Sequence, residues 1–152
     1  MDDPEWEPVF ATASELGLML FLHPHYGIPS ELYGSAQNGH VLPLALGFPF
    51  ETTIAVSRMI LAGIFDRYPS LKLLLAHSGG TIPFLAGRLD SCVEHDPHVA
   101  KRLLHPPSYY LKQLYYDAVN YHEHGLKNVL SLVGRERVMF GTGKSTCNNS
   151  PF

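Results

Sequence analysis

The sequence predicts an α/β fold built on a parallel sheet, and three observations carry that expectation. Two short, nearly all-apolar runs, Leu18–Leu22 and Leu71–Ala76, have the length and composition of strands covered on both faces, and each leads straight into a histidine. Stretches with helical apolar spacing alternate with such runs along the chain. Gly79-Gly80, followed by Thr81, Ile82 and Pro83, has the make-up of a sharp strand-to-helix turn.

Taken in order, Pro4 to Leu16 reads as a helix with Trp6, Val9, Phe10 and Ala13 on its apolar stripe and Gly17 as its stop. The strand Leu18–Leu22 ends in His23-Pro24-His25. Tyr26 to Phe50 is rich in Gly, Pro and polar residues, far longer than the usual strand-to-helix connection, and is expected to be a functional loop or a contact surface. Glu51 to Phe65 is the next helix, carrying Ile54, Met59, Ala62 and Phe65 and closed by Tyr68-Pro69. After the second strand, Thr81 is the expected N-cap of a helix running to about Val93, with Pro83 tolerated in its first turn. Glu94 to Tyr109 reads as a connector, Gln113–Val119 as a third strand, Glu123–Val133 as a helix ended by Gly134, and Arg137–Gly141 as a fourth strand. Right-handed crossovers then give a parallel sheet with the helices outside it. Residues 1–142 make one domain, and 143–152 form a divergent tail in which Ser, Thr and Asn dominate and disorder is expected.

Composition narrows the partners. The chain has 152 residues, 45% hydrophobic and 16% charged, enough for one sizeable core. A formal charge of −3 with no block of Lys or Arg argues against nucleic acid or an anionic membrane, while a small acid remains open through local arginines. No uninterrupted apolar run approaches the ~20 residues of a membrane span and no signal peptide is evident, so the expected compartment is the cytoplasm. Cys92 and Cys147 lie in unlike contexts and read as free thiols.

His23 and His77 stand at the carboxyl ends of parallel strands, where α/β folds place their sites, so the two imidazoles should converge on one mouth. Neutral imidazoles there suit Zn, Fe or Mn, especially if a carboxylate joins them. The other reading of His77 is a ring satisfied by backbone beneath the glycine turn. His25 would share the face of His23 only if the strand continued through Pro24, and is otherwise a loop residue. Asp117, near the end of the third strand, either orients a histidine or binds substrate, or else caps the loop that follows. His122-Glu123-His124 lacks the four-residue histidine spacing of zinc-protease helices and reads as a solvated helix start. His95, His98 and His105 read as surface-loop residues. Gly143-Lys144-Ser145 matches the end of a phosphate-binding loop, but Val138 replaces the required earlier glycine and no helix follows.

Four stretches carry a family resemblance, in the family's own order: Leu20-Phe21-Leu22-His23-Pro24-His25, Gly47 to Ala55, His77 to Arg88, and Val138-Met139-Phe140-Gly141-Thr142. With them the chain resembles the amidohydrolase-related metal-dependent decarboxylases, which include aminocarboxymuconate-semialdehyde, γ-resorcylate and uracil-5-carboxylate decarboxylases. His-Pro-His-Tyr-Gly from His23, and Gly39 to Pro49, are most similar to the fungal-type uracil-5-carboxylate enzymes. The resemblance implies a partial (β/α)8 barrel, approximately strands five to eight, with His23 as a metal ligand and His77 as the catalytic histidine that activates metal-bound water or handles the substrate proton. It implies zinc as the cofactor, with manganese or magnesium as alternatives. Arg88, eleven residues after His77, takes the spacing of an arginine that in some members holds a substrate carboxylate in a neighbouring subunit's site, and its other reading is a solvent-facing helix residue. His25 and Asp117 are accessory candidates.

The implied function is a carboxy-lyase for an aromatic, pyrimidine or muconate-type acid, working as a dimer or tetramer. The family's first-strand His-x-His and its eighth-strand Asp, where this chain has Gly143, are not found here, which bears on whether the chain acts alone. The alternatives are a non-catalytic fragment that associates with a full-length homologue and an amidohydrolase-type hydrolase.

Overall fold

The computed structural model describes residues 1–25, 27–34 and 38–143. Four strands, β1 (Met19–Leu22), β2 (Lys72–Leu75), β3 (Tyr115–Asp117) and β4 (Val138–Met139), form one sheet in the order β1-β2-β3-β4, with every neighbouring pair parallel. Helices connect them: α1 (Glu7–Glu15) leads into β1; α2 (Phe48–Leu61) and α3 (Ile64–Arg67) join β1 to β2; α4 (Ile82–Glu94), α5 (Pro97–Ala100) and α6 (Pro107–Leu111) join β2 to β3; α7 (Glu123–Val133) joins β3 to β4. The expected tail at 144–152, with Lys144, Ser145 and Cys147, lies outside the described residues.

Strand alternation decides the architecture. Leu73, Leu75 and Tyr116 are buried, and Leu20, Leu22 and Val138 pack against them, in one cluster with Phe10 of α1, Val56, Met59 and Ile60 of α2, Ile82 and Ala86 of α4 and Val129 of α7. The helices α1, α2, α3, α4, α6 and α7 therefore cover one face. The intervening residues point the other way, and of these Phe21 is 56% exposed and Met19 and Met139 are also exposed. A parallel sheet in sequential order with its packed helices on one side is an arc of a (β/α) barrel rather than a doubly wound sheet, whose helices lie on both faces. Covering on both faces, expected for the apolar runs, thus fails for β1, where Phe21 faces what would be the barrel interior.

The elements differ from the sequence expectation at their ends. The helix after β1 begins not at Glu51 but through a five-residue π segment, Pro43–Gly47, that runs into α2. Pro43 sits in a first turn, where its missing N–H is harmless, and Pro49 follows the π segment, where the regular hydrogen-bond ladder is already broken. Gly63, in the left-handed region at φ +69°, divides α2 from α3, so the expected helix to Phe65 is two. Thr81 is the N-cap position of α4 but makes no side-chain cap; its hydroxyl pairs instead with that of Thr53, 2.9 Å away on α2. The connector from Glu94 holds two short helices, α5 and α6, the first capped by Asp96.

Counted through its prolines, Pro43–Leu61 is long and apolar enough to cross a membrane, with a mean hydropathy of 1.3, although a sequence reading that breaks at proline finds no such run. About a third of it is buried within the chain, and α2 gives Val56, Met59 and Ile60 to the core, which marks it as a core helix of the barrel arc.

Candidate active site at the carboxyl ends of the strands

β1 and β2 run side by side in register, Leu22 opposite Leu75, so the chain leaves both strands at one edge of the sheet. This brings His23 and His77 together, with ring centroids 5.1 Å apart. Phe48, the residue after the π segment, lays its ring 6.3 Å from His23 and 6.1 Å from His77, and Phe21 packs 5.7 Å from His23. The two imidazoles form a small aromatic-walled cluster at the mouth of the arc.

The turn that carries His77 is strained. Both His77 and Ser78 have φ of +54°, a left-handed conformation that costs an ordinary residue about 1–2 kcal/mol. Asp117 at the end of β3 compensates. Its carboxylate accepts from the backbone N–H of His77 at 3.0 Å, of Ser78 at 2.7 Å and of Val119 at 3.1 Å, while the Ser78 hydroxyl donates back to the Asp117 carbonyl at 2.9 Å. Asp117 thus holds the backbone of the histidine, not its ring, and also caps its own loop. Two glycines let neighbours close in: a Cβ on Gly79 would stand 2.6 Å from the Tyr116 ring, and one on Gly80 would stand 2.2 Å from the Pro49 carbonyl oxygen.

Electrostatically His77 is unlike a free imidazole. Burial pushes His77 below the usual histidine range, the neighbouring His23 pushes it the same way, and the Asp117 charge opposes both. His77 Nδ1 is buried without a hydrogen-bond partner among the described residues. His23 Nδ1 lies 2.7 Å from the Pro24 carbonyl, a contact that only a protonated Nδ1 satisfies, so the lone pair of the neutral ring sits on Nε2.

The other candidates are more distant from this cluster. His25 is exposed on the loop after β1, with its backbone N–H on Glu51. Arg88 is exposed in the middle of α4 and forms no ion pair among the described residues. His122 and His124 do open α7, and their rings lie 5.0 Å apart on the surface. Glu51 and Phe48, three residues apart and so on one side of α2, were not singled out from sequence. The π segment that turns them toward the mouth leaves no plain mark in composition.

A divalent ion fits this donor set only in part. An imidazole with Nδ1 anchored to a carbonyl and Nε2 open is the usual form of a ligating histidine. Yet among the described residues no group of three or more His, Cys, Asp or Glu is placed to hold an ion, and tight sites ordinarily need three protein ligands. Two imidazoles alone make an incomplete site.

A sequential parallel arc with histidines at its mouth defines a portion of a metal-dependent hydrolase-type barrel. The chain belongs to the amidohydrolase family, whose model it matches over residues 1–144. It is 33% identical over 145 residues to 2-amino-3-carboxymuconate-6-semialdehyde decarboxylase of Dictyostelium discoideum, covering 93% of this chain and 39% of that protein. It superposes with a TM-score of 0.87 and 50% identity on the apo crystal structure of Metarhizium anisopliae IDCase, over 93% of this chain and 39% of that one. The dihydroxybenzoic acid decarboxylase of Polaromonas sp. JS666, solved with bound manganese and 2-nitroresorcinol, matches at 25% identity and a TM-score of 0.78, over 92% and 43%. The chain therefore spans well under half the length of these relatives, and what it matches is a part of their barrels.

Proposed function

We propose that this chain is the C-terminal portion of the catalytic barrel of a metal-dependent, non-oxidative decarboxylase acting on a small aromatic, pyrimidine or muconate-type carboxylic acid. The observation that carries the proposal is the 5.1 Å approach of the His23 and His77 rings at the carboxyl ends of adjacent parallel strands. His23 serves as one ligand of a divalent ion, zinc or manganese, whose remaining ligands lie outside the described residues. His77, neutral at physiological pH, would first accept a proton from water or substrate and then return it to the carbon from which carbon dioxide leaves, a role that suits a desolvated imidazole available as a base. Arg88, turned away on the outer helix layer, is assigned to the carboxylate of a substrate bound by a neighbouring subunit, which makes the working form an oligomer. The exposed Cys92, which forms no disulfide among the described residues, accords with a cytoplasmic setting.

The test is release of carbon dioxide from uracil-5-carboxylate, 2,6-dihydroxybenzoate and aminocarboxymuconate semialdehyde, with zinc or manganese supplied, by this chain alone and by a polypeptide that adds the family's first-strand His-x-His. Turnover of one of these acids by the longer form is expected. His77→Asn should lower its kcat by about 10²–10⁴-fold with metal content retained, as loss of a proton-transfer group does. No turnover of any of the three, or a His77→Asn rate equal to the parent's, would contradict the proposal.

A second reading, a non-catalytic subunit that pairs with a full-length homologue, is favoured by one feature. Among the described residues, the sheet face turned from the helices exposes Met19, Phe21 and Met139, and β1 and β4 are edge strands with no outer partner. Co-elution with such a homologue supports it, and elution as a monodisperse monomer in its presence counts against it.

A further inference from the structure

One carboxylate outside the histidine cluster is bonded into the loop that carries it. Glu51, half-buried on α2, accepts with a single oxygen, Oε2, from the backbone N–H of Gly27 at 2.5 Å and of His25 at 3.2 Å. The His25 N–H belongs to the same peptide group as the Pro24 carbonyl, and that carbonyl is the acceptor for His23 Nδ1 at 2.7 Å. The three groups form a continuous chain: carboxylate, peptide N–H, peptide C=O, imidazole Nδ1–H. A negative acceptor on the N–H side of an amide increases the electron density on its oxygen, and linked hydrogen bonds strengthen one another.

We propose that Glu51 is a positioning residue for His23, fixing the imidazole as its Nδ1–H tautomer through the intervening Pro24–His25 peptide and so presenting the Nε2 lone pair to the mouth. The arrangement does with a peptide relay what a carboxylate bonded directly to a ligating histidine does elsewhere: it sets the tautomer and the ring orientation. Phe48, three residues before Glu51 and on the same side of α2, completes the fixation by packing its ring on His23. A single helix therefore holds both the backbone and the ring of the histidine. The significance of the relay for catalysis rests on His23 being a metal ligand, but the tautomer is a property of the metal-free chain and is measured without turnover.

The experiment is long-range proton–nitrogen NMR of the histidine rings in the metal-free chain, at a pH high enough for His23 to be neutral. Wild-type His23 is expected as the Nδ1–H form, against the Nε2–H preference of a free imidazole. Glu51→Ala should shift it toward Nε2–H, whereas Glu51→Gln, which keeps an acceptor oxygen, should retain Nδ1–H while the Pro24 carbonyl carbon resonance moves upfield as the charge is lost. Should Glu51→Ala fail to fold, the Gln variant decides by that carbonyl shift. Wild-type His23 in the Nε2–H form, an unchanged tautomer in folded Glu51→Ala, or a Pro24 carbonyl indifferent to Glu51→Gln would each overturn the proposal. Absence of decarboxylation would leave these readouts intact, so failure of the enzymatic reading is distinguishable from failure of this one.

Discussion

Asp117 and His77 are joined by backbone rather than by side chain: the carboxylate at the end of β3 accepts the N–H of His77 at 3.0 Å, while the imidazole Nδ1 of that histidine has no partner among the described residues. The strand therefore fixes where the ring stands and leaves its chemistry free. A left-handed turn at two consecutive non-glycine residues persists only because the surrounding hydrogen bonds overdetermine it.

Removing that carboxylate should be costly. Asp117→Ala leaves the N–H groups of His77, Ser78 and Val119 without their acceptor beneath a buried turn, and is expected to destabilise the chain by about 3 kcal/mol. Urea unfolding followed by far-UV circular dichroism measures it, and a loss below about 1 kcal/mol would mean that the turn does not depend on the clamp.

The pH dependence of His77 follows from its surroundings. Its folded value is pushed below the ordinary 6.5, by burial first and by His23 second, so the unfolded chain binds the proton more readily. The associated stability is fully present above about pH 6.5 and is lost as the pH falls from there through the folded value. A ring-proton titration should give a His77 midpoint under 6.5, and His77→Asn should flatten stability against pH across that acid window. A midpoint above 6.5 would contradict the burial and charge arrangement described for the mouth.

Two glycines on either side of the start of α4 should respond oppositely to alanine. At Gly80, with φ +64° and the Pro49 carbonyl oxygen 2.2 Å from the new Cβ, alanine is expected to destabilise by about 3 kcal/mol. At Gly87, inside α4 with nothing within 4 Å of a Cβ, alanine should instead stabilise by about 0.5–1 kcal/mol. Thermal melts of the two variants check both signs.

Much of the fold can be read from the sequence because it rests on local periodicity. The apolar runs before His23 and His77, the Gly79-Gly80 turn and the helix Glu123–Val133 all appear where composition puts them. Pro43–Phe50 was less legible, since two prolines that usually end helices are absorbed by a π segment. At the site, the pairing of His23 with His77 follows from parallel strands in register, a relationship the pattern implies. The cap that Asp117 places on its own loop, through the Val119 N–H, is local and legible, but its hold on His77 and the hold of Glu51 on Gly27 do not follow, because these N–H groups are distant in sequence, 40 residues away for Asp117 and 24 for Glu51. Such contacts depend on crossover geometry, to which hydrophobic spacing is blind. Covering on both faces of β1 failed for a related reason: an apolar run does not say whether its second face meets helices or a barrel interior.

The central claim is that His23 and His77 together form the ion-facing part of the mouth. Titrating the metal-free chain with manganous ion while following histidine ring signals tests it most directly, because the paramagnetic ion broadens whatever lies nearest. The account predicts that the His23 and His77 resonances broaden together and first, and that His77→Asn leaves the effect on His23 in place. Broadening that begins at the exposed His122 and His124 pair, with His23 and His77 still sharp, would contradict it.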